Sequence, residues 1–228
     1  MTDKIMNNGF KLIIFDLDGT LVDSSPDVIE CFNYALNEEG LPPAAEQKIK
    51  ATIGYPLKES LAEFGNPERL YSHFVRKAQL IMGNRTTLIN GVKETLAELK
   101  DKGFFMAIAT TKIRQNATRV IRKLEIADFI DELSCADDVK NIKPSPDPLL
   151  RLLDIFKLKP ESALMVGDTI NDIIAARRAG IKSAAITTGF DSEDILLKER
   201  PDWIIRNIAE VKTLVSNGGK SKNQTIIH

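Results

Sequence analysis

Asp16 and Asp18 stand two positions apart at the end of the apolar run Phe10-Lys11-Leu12-Ile13-Ile14-Phe15, and Gly19 follows them. A run so rich in Ile and Phe reads as a strand buried on both faces. Residues two apart point the same way while the chain stays extended, so the two carboxylates share an orientation, and Gly19 lets backbone N–H groups come close to an anion. The same letters also make good turn chemistry, so this segment alone decides little. Three later segments also fall at strand exits or in the loop after a strand. Ala107-Ile108-Ala109-Thr110-Thr111-Lys112 is an apolar strand ending in hydroxyls. Asn141-Ile142-Lys143-Pro144 supplies a cation whose backbone the proline restricts. Leu164-Met165-Val166-Gly167-Asp168-Thr169-Ile170-Asn171-Asp172 is a third strand ending in acids. Phosphoryl transfer needs an in-line nucleophile, neutralisation of the phosphoryl oxygens and a proton for the leaving group. A carboxylate can take the phosphoryl group itself, and a hard divalent cation such as Mg²⁺ relieves its repulsion with a phosphate dianion.

These four segments, in this order, resemble the haloacid dehalogenase superfamily of phosphoryl-transfer enzymes from Phe10 to about Leu214, and the run from Asp16 to Asp27 is most similar to its phosphoglycolate phosphatase branch. The resemblance implies Asp16 as nucleophile and Asp18 as general acid and then base. It also implies Mg²⁺ held by the side chains of Asp16 and Asp168 with the Asp18 main-chain carbonyl. Thr110 and Lys143 are expected to bind the substrate phosphate, and Asp172 to orient Lys143 or a metal-bound water. Members that cleave carbon–halogen bonds lack the second acid, so Asp18 favours phosphate esters or anhydrides. Related sugar phosphomutases carry a histidine where Val28 stands, which lowers the mutase reading. The implied partner is a small phosphorylated metabolite, with 2-phosphoglycolate the best fit and inorganic pyrophosphate the alternative. His73, Arg76, Arg85 and the loop Ile53-Gly54-Tyr55-Pro56-Leu57 are the candidates for leaving-group contacts. A receiver-type signalling domain uses similar groups but is roughly half as long, and a phosphate-sensing module would have no use for Asp18.

Gathering strand exits at one place requires a parallel sheet. From Gly91 the pattern alternates helix and strand: helices over 92–102, 114–124, 146–156 and 171–179, and strands over 104–109, 130–134, 163–166 and 183–187, with 203–205 as a last edge strand. That is an α/β, doubly wound, Rossmann-like core over 1–20 and 91–216. Residues 21–90 interrupt it, and within them 24–84 read as helices only, the first capped by Ser24 or Ser25 with Pro26 in its first turn. This insertion is expected to be a helical cap joined through 21–25 and 85–91. The polar tail 217–228 is expected to be disordered.

Composition narrows the partners. The chain has 228 residues and a net charge of -1, with its cations scattered among acids, which argues against nucleic acid. Its longest N-terminal apolar stretch is too short for a membrane span or signal core, so the expected location is cytoplasmic. Two histidines and two unpaired cysteines, with Cys31 read as a buried hydrophobe, leave oxygen ligands as the metal chemistry.

Overall fold

The computed structural model describes residues 9–216, so the tail expected to be disordered lies outside the described residues. The chain runs β1 (Leu12–Phe15), β2 (Val22–Asp23), α1 (Ser25–Glu38), α2 (Glu46–Lys50), α3 (Leu57–Ala62), α4 (Pro67–Ile81), β3 (Thr87–Leu88) and α5 (Val92–Asp101). It continues through β4 (Phe105–Ala109), α6 (Arg114–Lys123), β5 (Glu132–Ser134), α7 (Asp147–Phe156), β6 (Ala163–Gly167) and α8 (Ile170–Ala179). The last elements are β7 (Lys182–Ile186), α9 (Glu193–Lys198), β8 (Trp203–Ile205) and α10 (Glu210–Ser216).

Every residue of β1 is buried because helices cover both faces of the sheet. Alternation along the strand divides the core. Ile13 and Phe15 pack with Val92, Leu96, Val120 and Ile121 from α5 and α6, whereas Leu12 and Ile14 pack with Leu149, Leu152, Ala175 and Ala176 from α7 and α8. Burying a side chain of this kind contributes roughly 1.5–3 kcal/mol. The large sheet is parallel, in the order β5-β4-β1-β6-β7-β8. With β1 flanked by β4 and β6, the strand order reverses beside it. The crevice outside its carboxyl end is where such sheets take ligands.

The helices α1–α4 lie between two short strands, and this ribbon was not expected from the sequence. Strand β2 pairs antiparallel with β3, Val22 with Leu88 and Asp23 with Thr87, so the chain leaves and re-enters the core at one place. Two-residue strands are too short to show any hydrophobic period. Inside the insertion, α1 packs on α4, and Phe32 meets Phe74 and Phe64 edge-on at centroid distances of 5.5 and 5.4 Å. Asp27, in the first turn of α1, is fully buried and accepts hydrogen bonds from the backbone N–H of Gly83, Arg85 and Thr86 and from the Thr86 hydroxyl at 2.7–3.2 Å. It ties the two linkers together. Ser24 holds the N-cap position of α1 but makes no capping bond, contrary to expectation, because its hydroxyl is used elsewhere.

Candidate active site

Four strand exits converge at the crevice. Asp16 follows β1, its N–H donating to the Val166 carbonyl at 2.8 Å, and only 2% of it is exposed. Lys143 comes from the loop between β5 and α7 and is buried. Its Nζ donates to Asp16 Oδ1 at 2.7 Å and to Asp172 Oδ1 at 2.6 Å. Asp172 also forms a reciprocal cap on α8, its Oδ2 accepting from the Thr169 N–H at 3.0 Å and the Thr169 hydroxyl at 2.8 Å. One acid thus fixes both the lysine and the helix start. Gly167 makes room for it, since a Cβ there would lie 2.3 Å from the Asp172 carboxyl carbon.

Asp168 follows β6 and is fully buried, accepting from the Thr20 hydroxyl at 2.7 Å and the Phe190 N–H at 3.0 Å. Gly19, at φ +85°, and Gly189 both back onto this carboxylate; a Cβ on either would come within 2.2 Å of its Oδ2. Thr110 follows β4, next to β1 in the sheet, and its oxygen accepts from the Lys112 N–H at 3.1 Å. Asp18 accepts from the Ser24 hydroxyl and, at 2.7 Å, from the Lys112 ammonium. The structure therefore brings Asp16, Lys143 and Asp172 into direct contact and sets Asp168, Asp18 and Thr110 around them.

Electrostatics favour a cation. One oxygen from each of Asp16, Asp168 and Asp172 lies within 4.8 Å of the others, and all three residues are buried. Burial, opposed by Lys143, pushes the Asp16 carboxyl up to about 7, and burial together with the charges of Asp16 and Asp172 pushes Asp168 well above the carboxylate range. Burial also works against charge on Lys143, but Asp16 and Asp172 more than offset it and hold the ammonium above its ordinary value. Three buried acids, two of them paired with the one lysine, form an oxygen-only donor set with surplus negative charge, which a hard divalent cation such as Mg²⁺ fits. Asp172 already spends both oxygens on Lys143 and Thr169, leaving Asp16 and Asp168 as the side chains able to hold the ion.

Above the acids, a cavity of about 550 Å³ opens between the core and the insertion, with Asp18 and Lys143 in its wall. The loop at Gly54 and Tyr55 seals one side. Asn171 donates to the Gly54 carbonyl at 3.3 Å, and the Tyr55 hydroxyl donates to Asp191 at 3.0 Å. Asp191 in turn accepts from the Ile170 N–H at 2.8 Å, at the start of the helix that carries Asp172. The cations expected to meet the leaving group do not line this cavity. Arg76 binds Tyr34 and Glu38, His73 binds Glu39 at 2.9 Å, and Arg85 lies 3.7 Å from Glu30.

The profile described as "Haloacid dehalogenase-like hydrolase" matches residues 13–186. The chain belongs to that family. A phosphoglycolate phosphatase of Haemophilus influenzae (strain 86-028NP) is 34% identical across 92% of this chain and all of its own. The pyrophosphatase PpaX of Halalkalibacterium halodurans is 30% identical across 89% of this chain and 95% of its own. Among solved structures, a predicted phosphoglycolate phosphatase from Haemophilus somnus superposes with a TM-score of 0.82 at 30% identity, covering 90% of this chain and 97% of that one. This hydrolase is similar to both kinds of relative to nearly the same degree. Among its described residues, no helix is long and apolar enough to cross a membrane.

Proposed function

We propose that this chain is a cytoplasmic phosphatase that hydrolyses a small phosphate monoester through an aspartyl-phosphate on Asp16, with Mg²⁺ as cofactor. The observation that carries this reading is a buried carboxylate at the point where the strand order reverses, pinned by Lys143, with a second acid held beside it by Lys112 and Ser24. Asp16 attacks phosphorus, the bond from phosphorus to the ester oxygen breaks, and Asp18 gives the departing alkoxide its proton. Water then attacks the acyl phosphate while Asp18 takes a proton back, releasing phosphate and restoring Asp16. Lys143 neutralises nucleophile and phosphoryl oxygens in turn, and Asp172 keeps it in place. Thr110, whose oxygen already accepts a hydrogen bond, offers its hydroxyl proton to the phosphoryl group. Bound Mg²⁺, held by Asp16, Asp168 and the Asp18 main-chain carbonyl, supplies the charge that lets a carboxylate approach a phosphate dianion. The helical insertion acts as a cap, and its Gly54–Tyr55 contacts close the site against water.

The names of the relatives make 2-phosphoglycolate the first substrate to test and pyrophosphate the second. Product analysis separates them, because pyrophosphate yields two phosphates and no alcohol. Phosphate release should require Mg²⁺ and stop in chelator, and rapid quenching with labelled ester should leave label on the protein, absent in Asp16→Asn. Full turnover after exhaustive metal removal would overturn the cofactor, and a labelled Asp16→Asn protein would overturn the nucleophile.

A further inference from the structure

The cavity wall opposite the acids carries an apolar stripe, with Thr52, Lys58 and Glu59 beside it. Helix α1 contributes Val28 and Phe32, one turn apart, and α4 contributes Tyr71, Phe74, Val75 and Ala78, the stripe that helical spacing places on one face. The cations that line the cavity leave little for a carboxylate. Lys112 and Lys143 are already paired with Asp18, Asp16 and Asp172, while Lys58 and Lys140 are solvent-exposed and Lys58 is engaged with Glu68. A glycolate or phosphate leaving group carries concentrated negative charge and almost no apolar surface. It matches neither the volume nor the lining of this space.

One polar group on the core side does lack a partner. Asn116, in the first turn of α6, is only 7% exposed and lines the cavity, yet its side-chain oxygen accepts no hydrogen bond from any described residue. Buried acceptors are rarely left so, because desolvation without a partner costs on the order of 1–3 kcal/mol. A donor on whatever occupies the cavity would satisfy it.

Resting on the phosphatase reading, we infer that the preferred substrate is the monophosphate ester of an alcohol with a ring-sized apolar body and a hydroxyl or N–H group that reaches Asn116. The reaction is the hydrolysis given above: ester and water enter, alcohol and phosphate leave. The phosphoryl group is held at the strand exits, and the alcohol lies along the α1–α4 wall.

The test compares kcat/KM for benzyl phosphate, methyl phosphate and 2-phosphoglycolate with the Mg²⁺-loaded full chain. Benzyl and methyl alcohol are close in acidity, so their esters differ mainly in apolar surface. Burying one ring should favour benzyl over methyl phosphate by roughly 30-fold. Val75→Arg should reduce that ratio about tenfold, and Val75→Ser, a milder change at a half-buried position, about threefold. A hydroxymethyl group on the benzyl ring should raise kcat/KM several-fold in the parent protein and not in Asn116→Ala. Equal rates on benzyl and methyl phosphate, or 2-phosphoglycolate turned over faster than benzyl phosphate, would overturn this inference and leave the phosphatase reading standing. No hydrolysis of any ester would overturn both.

Discussion

The floor and the roof of the cavity are built on opposite terms. On the floor, Asp16, Asp168, Asp172 and Lys143 are almost completely buried, and each is held by charge-assisted hydrogen bonds of 2.6–3.0 Å from a different strand exit. On the roof, the α1 and α4 side chains offer apolar surface, and the roof meets the core through a few neutral or singly charged contacts at Gly54 and Tyr55. Low dielectric makes every floor interaction strong and every unpaired floor group costly. Apolar surface has no such directional demand and is easily reshaped. Geometry that must be kept and geometry that can change are thus assigned to different parts of one cavity.

Substitutions on the floor should break this division most sharply. Asp16→Asn should cost on the order of 10⁴-fold or more in kcat, as loss of a covalent nucleophile does, and Asp18→Asn about 10²–10⁴-fold. For Asp18→Asn the first-step loss should shrink with better leaving groups, as burst kinetics on aryl phosphates would show. An equal loss across leaving groups would remove Asp18 as the acid.

Lys143→Met should be nearly as severe, in stability as well as rate. It leaves buried acids without their cation, a change worth about 3–5 kcal/mol. Denaturant unfolding with and without Mg²⁺ would measure it, and the ion should recover part of the loss. A wild-type unfolding midpoint in chelator would show that the acids do not depend on this lysine.

The acids also predict a pH effect of moderate size. Asp16 is pushed up to about 7 from an ordinary 3.8, and Asp168 is raised too, so between those values the folded metal-free protein binds more protons than the unfolded chain. Stability must then fall as pH rises through that window. In chelator, Tm should be lower at pH 8 than at pH 5, and added Mg²⁺ should raise it more at pH 8. A metal-free Tm that climbs over this range would contradict the surplus of buried negative charge.

The smallest effect belongs to the roof. Tyr55→Phe removes one hydrogen bond to Asp191, worth about 1 kcal/mol. It should lower kcat/KM for esters that need closure by at most about tenfold, with stability barely changed. A loss as large as that of Asp18→Asn would place Tyr55 among the groups that do the chemistry.

The floor was readable from the amino-acid order because strand exits announce themselves: apolar runs that stop at Asp16, Thr110 and Asp168 can only be gathered by a parallel sheet. Lys112 is harder to read, because Thr110, Thr111 and Lys112 are neighbours and neighbours on a strand point different ways. That rule ends with β4 at Ala109, and three residues later the turned chain delivers the Lys112 ammonium to Asp18. Thr20 and Ser24 were hidden similarly, since an isolated hydroxyl reads as loop or helix cap. Arg76 was misplaced by helical geometry, for it lies about 100° around α4 from Val75 and so leaves the cavity face. The roof itself depends on how α1 meets α4, a contact between segments that no local period encodes.

The paired strands β2 and β3 bring the two ends of the insertion side by side. Val22–Asp23 and Thr87–Leu88 already lie as the two arms of a hairpin, so a two-residue turn in place of residues 24–86 would close it without moving β1 or α5. Lineages that exchanged or resized the segment between those arms would carry the same hydrolytic floor to new esters, one graft at a time, without reinventing a single strand exit.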